Sequence, residues 1–159
     1  MTTCAIVGNA ESIFGKKHGK EIDSHDIVIR INRPAIKSVV DQGEKITLMF
    51  VHDGTIHHVD PNSNQYKVFN IDVEMKDEIS HWAKIISRST KIEGAKATTG
   101  FLAIAYALSK GYDVNLYGFD WYDTDTHYLA HLKCGPWNKH HPEWEREQVS
   151  KWITKDQIH

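Results

Sequence analysis

Short apolar segments alternate along this chain with segments of helical periodicity, and this alternation restricts the fold more than any other feature. Strands are expected in TCAIVGNA, DIVIRIN, ITLMFVH, YKVFNID and YDVNLYGFD. Helices are expected in DEISHWAKIISRS, in TTGFLAIAYALSKG with Gly111 just past its end, and from Pro142 onward. Strands that alternate with helices favour a mostly parallel sheet covered on both faces. We therefore predict a three-layer α/β sheet.

Length and composition narrow the classes of protein to consider. A chain of 159 residues suits one domain, and a formal net charge of -2 gives no basic footprint for nucleic acid. We find neither a signal-peptide pattern nor an apolar stretch long enough for a transmembrane helix. Cys4 and Cys134 form no CxxC pair, which slightly favours a reducing compartment. The expectation is a soluble, cytoplasmic protein without nucleic-acid partners.

Polar residues, most of them uncharged, fall where the predicted strands end or a helix begins. Asn9 and Asn32 follow the first two strands, Thr98 and Thr99 precede the apolar helix, and Asp120 ends the last strand. Ligands of parallel sheets bind beyond such strand ends and at helix N-termini. Amides can bond phosphate oxygens or a base without adding charge. The plainer alternative is that the asparagines form turns and the threonines cap the helix.

Segments of this chain resemble, in order, the four motifs of the animal-type sialyltransferase family. CAIVGNA and EIDSHDIVIRIN are similar to its long motif, and DQGEKITLMFVHDG follows as in the family. ATTGFLAIAYALSKGYDVNLYGFD resembles the short motif, THYLAH the third motif, and HHPEWE the very short motif, His-x4-Glu. Together these segments span most of the chain.

The resemblance implies a single minimal catalytic domain, residues 1–159, with a Rossmann-like, GT-A-like fold. It also implies inverting, metal-independent transfer of sialic acid or a related acidic sugar from a CMP-sugar to a hydroxyl acceptor, with CMP-sialic acid as donor and no cofactor. The candidate donor-binding residues along these motifs are Asn9, Ala10, Asn32, Thr98, Thr99, Gly100, Gly118 and Phe119. Asp120 is added as a departure, because the family commonly has a small residue there and an extra carboxylate could bond the ribose hydroxyls or change the donor.

Three histidines are the candidate catalytic residues. The resemblance implies that His127 binds the leaving phosphate and that a histidine of the last motif is the general base. His140 has the motif's spacing to Glu145, whereas His141 directly precedes Pro142 and is the more natural helix cap. A histidine at a helix N-terminus tends to stay neutral, as a base must. Both histidines remain candidates.

The chain departs from the family in several places. The usual partner of the long-motif cysteine is missing from SKGYDV, so we expect Cys4 to be a buried thiol. The third motif continues with Leu129 and Ala130, and the stretch between Phe50 and Thr98 is shorter than usual. Two alternatives therefore stand beside transfer: hydrolysis of a CMP-sugar or cytidine nucleotide, and CMP binding without turnover.

Three other groups of residues give weaker indications of a metal or sugar site. His52, His57 and His58 lie in a polar loop, where solvation is the simpler interpretation than a metal site. Asp123 and Asp125 resemble a divalent-ion pair only loosely. A platform for a sugar could come from tryptophans that would serve equally well in a core, namely Trp121, Trp137 and Trp144.

Overall fold

A computed structural model describes residues 1–33, 35–121, 123 and 140–159 of the chain. Its strands are β1 (Thr3–Val7), β2 (Ile27–Ile31), β3 (Leu48–Val51), β4 (Lys67–Asn70) and β5 (Asp113–Tyr117). Its α-helices are α1 (Gly19–Ser24), α2 (Val39–Gln42), α3 (Ile71–Glu74), α4 (Lys76–Thr90), α5 (Thr99–Ser109) and α6 (Pro142–Trp152). Short 3-10 helices occupy Glu11–Ile13, Ile56–His58 and Lys155–Gln157.

The described strands form one parallel sheet in the order β4-β3-β2-β1-β5. Residues of β1 alternate between its two faces. Cys4 and Ile6 join the larger core, which includes α5 and α6, while Ala5 and Val7 join a smaller core on the side of α1. A sheet covered on both faces confirms the predicted α/β class.

Helix ends follow the capping residues in the sequence. We predicted that α5 starts after Thr99-Gly100, but it begins at Thr99, because the Thr98 side chain accepts a hydrogen bond from the Phe101 amide at 3.1 Å. Gly111 follows the helix with φ +73, as a C′ glycine does. Pro142 is the first residue of α6, as predicted. The sequence analysis missed α1, α2 and α3, which have too few turns for a periodic pattern.

Two charged residues of the EIDSHDIVIRIN segment hold loops in place. The Asp23 carboxylate accepts hydrogen bonds from the amides of Glu44 and Lys45 at 2.9–3.0 Å. The Arg30 side chain is buried, and it donates to the carbonyls of Lys45 at 3.0 Å and Gln42 at 2.8 Å. These bonds satisfy the backbone between α2 and β3, where regular structure cannot do so.

Cys4 is fully buried in β1 and is a free thiol. Burial raises the pKa of this thiol to about 12, so it stays protonated and unreactive. The expectation of a buried thiol is confirmed, and Cys134 lies outside the described residues. None of the helices in the described part of the chain has the length and apolar character needed to cross a membrane.

The sheet reverses its strand order at β1. The chain moves outward from β1 through β2, β3 and β4, and then returns to place β5 on the other side of β1. At this point Gly8 donates to the Tyr117 carbonyl at 2.8 Å, and Ala10 donates to the Gly118 carbonyl at 3.1 Å. Such switch points form the ligand crevices of parallel sheets.

Gly8 allows the ends of β1 and β5 to approach. A Cβ atom at Gly8 would lie 2.4 Å from the Gly118 carbonyl oxygen, which is fixed by backbone hydrogen bonding. We expect Gly8→Ala to lower the free energy of unfolding by about 1–3 kcal/mol in urea denaturation. The control is Gly54→Ala, whose Cβ would meet only the rotatable His52 imidazole, at 2.8 Å. Equal effects of the two substitutions would contradict this explanation.

Candidate active site

The carboxyl edge of the sheet brings together most of the residues that the sequence analysis selected. The ring of Phe119 lies between the loop after β1 and the start of α5. A Cβ built at Gly8 would be 3.1 Å from this ring, and one built at Gly100 would be 3.0 Å from it. Both glycines therefore leave room for the ring, which also lies 5.7 Å from that of Trp121. An aromatic surface thus stands at the switch point of the sheet.

The two asparagines occupy neighbouring strand ends and connect loops. The Asn9 side-chain amide donates to the Ile31 carbonyl at 3.1 Å, which joins the ends of β1 and β2. Asn32 has φ +59, in the left-handed region that asparagine tolerates best among non-glycine residues. Its side-chain oxygen accepts from the Thr55 hydroxyl at 3.1 Å. Both amides are more than turn formers, because each bonds a residue distant in sequence.

Helix α6 contacts the start of α5 through a buried carboxylate. Glu145 is 1% exposed, and its two oxygens accept hydrogen bonds from the amide and the hydroxyl of Thr98, both at 2.7 Å. Burial raises the pKa of Glu145 to about 7, although the bonds from Thr98 act in the opposite direction. The pair holds the N-terminus of α5, including Thr99 and Gly100, against α6.

His140 is oriented by a backbone carbonyl in the same region. Its Nδ1 atom lies 3.0 Å from the Lys96 carbonyl oxygen. Since a carbonyl only accepts, Nδ1 carries the proton and Nε2 keeps its lone pair. Burial lowers the pKa of His140, with further lowering by the charge of Lys96, while the bond to the carbonyl acts against it. The imidazole is therefore held neutral, with Nε2 free of a proton.

His141 differs from His140 in the hydrogen bonding of its side chain. It is the N-cap of α6 by backbone position, yet its side chain forms no capping hydrogen bond. Its Nε2 atom is buried and has no hydrogen-bond partner among the described residues. The expectation that His141 is the N-cap is confirmed by its position, although its side chain does not cap the helix.

Several predicted residues lie outside the described ranges: His127, Asp125, Leu129, Ala130, Cys134 and Trp137. Their proposed roles stay predictions. Among the described ones, Asp123 forms an exposed ion pair with Arg146 at 3.3 Å. Trp144 packs against Phe101 at 5.8 Å between ring centres, so it belongs to the core.

The loop histidines do not form the metal group that we considered. The rings of His57 and His58 are tilted by 50° with centres 3.7 Å apart, but no third ligand joins them or His52 within the part of the chain that the structure describes. Sequence reasoning missed two supporting groups, the Lys96 carbonyl and the Thr55 hydroxyl. A backbone carbonyl leaves no mark in the sequence. Thr55 could have been noticed only as a polar residue after the third strand.

A family model described as glycosyltransferase family 29 (sialyltransferase) matches residues 1–84. The human CMP-N-acetylneuraminate-beta-galactosamide-alpha-2,3-sialyltransferase 1 is 29% identical over an alignment of 148 residues, which covers 73% of this chain and 44% of that protein. The chain spans half or less of the length of the curated relatives that it matches.

Solved structures share the fold. A mammalian sialyltransferase superposes with a TM-score of 0.68 at 20% identity, covering 99% of this chain and 67% of the other. The sialyltransferase CstII from Campylobacter jejuni, solved with the substrate analogue CMP-3FNeuAc, gives a TM-score of 0.54 at 16% identity, with 96% and 78% covered. These likenesses establish a sialyltransferase-like fold for this chain.

The raised pKa of Glu145 predicts a pH-dependent stability. Between the ordinary value of 4.5 and about 7, the folded protein keeps a proton that the unfolded chain releases. Stability should therefore fall as pH rises through this window, by about 3 kcal/mol relative to Glu145→Gln. Urea denaturation from about pH 4.5 to 8 measures the difference, with Glu143→Gln on the same helical turn as a control. Parallel curves for wild type and Glu145→Gln would refute the buried, protonated carboxyl.

Proposed function

The chain belongs to glycosyltransferase family 29, the sialyltransferases, and on that premise we propose that it transfers sialic acid, or a related acidic sugar, from a CMP-sugar to a hydroxyl acceptor. One observation carries the proposal. His140 bonds the Lys96 carbonyl and Glu145 bonds Thr98, so the last motif meets the segment that opens α5 at two points. A candidate base and a candidate anion-binding helix start are thereby held together.

We propose that the donor lies across the carboxyl edge of the sheet. The Phe119 ring would pack against cytosine, since an aromatic face suits any base. Asn9 and Asn32, with the backbone of Ala10, would hold the phosphate and the cytidine. A CMP-sialic acid carries a phosphate and a carboxylate, and the first amides of α5 favour such anions. The remaining contacts would come from Thr98, Thr99, Gly100, Gly118 and Asp120.

His140 is our choice for the general base. The lone pair on Nε2 is the atom that would take the acceptor hydroxyl's proton as that oxygen attacks the anomeric carbon. The lowered pKa of His140 keeps the ring neutral at pH 7, which this role requires. The His-x4-Glu spacing also favours His140, because Glu145 is the residue that anchors α6 beside it.

The leaving group departs from the face of the sugar opposite to the attacking acceptor hydroxyl. As the bond to the phosphate breaks, negative charge grows on the CMP oxygen and positive charge on the anomeric carbon. We propose that His127 donates to this phosphate and that the α5 amides stabilise it, a role that metal ions fill elsewhere. Attack opposite the leaving group inverts the anomeric centre. No metal is needed for this scheme.

The decisive assay is product analysis with CMP-sialic acid, with and without a panel of glycans. We expect a sialylated glycan plus CMP, and we expect EDTA to leave the rate unchanged. Free sialic acid and CMP alone, whatever acceptor is present, would replace transfer by hydrolysis. A rise in melting temperature with CMP but not with AMP, and no product from any acceptor, would indicate a binding module instead.

The histidine assignment is tested separately. His140→Ala should slow transfer by about 10²–10⁴-fold while CMP affinity is nearly unchanged, because only the proton acceptor is lost. His141→Ala is the matched neighbouring variant, and His81→Ala, on the exposed side of α4, controls for loss of an imidazole. A collapse confined to His141→Ala would move the base to His141 and refute our choice.

A further inference from the structure

A second group of polar side chains lies on the α1 side of the sheet. His18 precedes α1, Glu21 lies in its first turn, and His159 follows the last 3-10 helix. The amide of His159 donates to the Leu116 carbonyl at 2.9 Å, which fixes this residue beside β5. We call these three residues the His–Glu–His cluster. None of them has a role in the proposed transfer.

The spacing of the cluster suits a metal ion. One ligand atom of each residue lies within 4.8 Å of the other two. His18 Nδ1 is 2.8 Å from one Glu21 oxygen, and His159 Nε2 is 3.8 Å from the other. Ligands about 2.0–2.2 Å from a tetrahedral ion are about 3.4 Å apart, and the two observed distances bracket that value. The three side chains are therefore close enough for one ion to bind a ligand atom from each.

A buried hydroxyl provides the second observation. Tyr117 is 1% exposed, and its hydroxyl has no partner that meets hydrogen-bond distance and angle among the described residues. The Tyr117 ring lies beside the cluster, with its centre 5.5 Å from that of His18. The Tyr117 ring also stacks on His159, with ring centres 4.7 Å apart. A buried polar group of this kind requires a partner.

We propose that the His–Glu–His cluster binds one divalent transition-metal ion of the zinc class. Two imidazoles and one carboxylate form a ligand set typical of zinc, with a fourth position left for water. The Tyr117 hydroxyl would bond that water, which satisfies the buried group. The ion would tie α1, β5 and residue 159 together, so its role is structural and separate from the transfer chemistry.

The three side chains that would bind the ion are accessible to solvent. The side chains of His18 and His159 are 23% and 22% exposed, and that of Glu21 is 46% exposed, so an ion can enter from solvent. His159 Nε2 also lies 3.4 Å from the Asn115 side-chain oxygen, a long contact that the metal would replace. The rival interpretation is an ion pair between Glu21 and either histidine, without metal.

The test uses the whole chain after removal of metals with EDTA. Titration calorimetry with Zn²⁺ should show one tight equivalent, Mg²⁺ should show none, and Zn²⁺ should raise the melting temperature. His18→Ala and His159→Ala should each weaken this binding by more than about 100-fold, and Tyr117→Phe by about 10-fold. The control is His57→Ala with His58→Ala, which removes two exposed imidazoles elsewhere and should leave the equivalent intact.

Two results would overturn the proposal. One is Zn²⁺ binding that is equally strong in the His18→Ala and His159→Ala variants, which would place the ion among other histidines. The other is no Zn²⁺ equivalent at all, which would leave the cluster as an ion pair. Glu21→Gln keeps the side-chain shape, so it changes the third ligand with little risk of unfolding the protein. Circular dichroism confirms that each variant is folded. Both readouts are independent of transferase activity.

Discussion

The contact between Gly8 and Gly118 is the constraint on which the rest of the site depends. The ends of β1 and β5 meet there so closely that a Cβ on Gly8 would lie 2.4 Å from a carbonyl oxygen. Because the strand order reverses at this contact, the crevice of the sheet opens beside it. The Phe119 ring, which follows Gly118, is consequently directed between Gly8 and Gly100. The close approach of the two strand ends thus positions the Phe119 ring, to which we assign the donor.

The polar residues of the family's long motif divide into two roles. Asn9 and Asn32 stand at the carboxyl edge, where a ligand would meet them. Asp23 and Arg30 instead bond backbone groups at the end of α2 and in the connection to β3. Replacing this buried arginine should be destabilising, because the carbonyls of Lys45 and Gln42 would lose the donor that Arg30 supplies. The polar residues of this motif therefore hold the backbone in place as well as facing the ligand edge of the sheet.

Helix α6 joins the site through one buried carboxyl group, and two hydrogen bonds offset part of the cost of burying it. Glu145 bonds both the amide and the hydroxyl of Thr98, and the same threonine caps α5. The N-terminus of α5 and the N-terminus of α6 are therefore fixed relative to each other. His140 lies at that junction, with its proton held on Nδ1 by the Lys96 carbonyl. The contacts at this junction therefore stabilise the fold and also set the protonation state of the candidate base, His140.

The sequence by itself determined the five strands, the glycine that follows α5, the start of α6 at Pro142, and the strand-end positions of Asn9, Asn32 and Phe119, because apolar periodicity, glycine and proline act locally. The role of His127 remains a prediction. Only the tertiary structure decided the strand order, the partner of Glu145, and the carbonyl that orients His140. Those partners lie 47 and 44 residues away along the chain. The His–Glu–His cluster likewise forms only because a backbone bond to Leu116 of β5 holds His159 beside α1. Contacts between distant residues depend on packing, and a backbone carbonyl has no sequence signature.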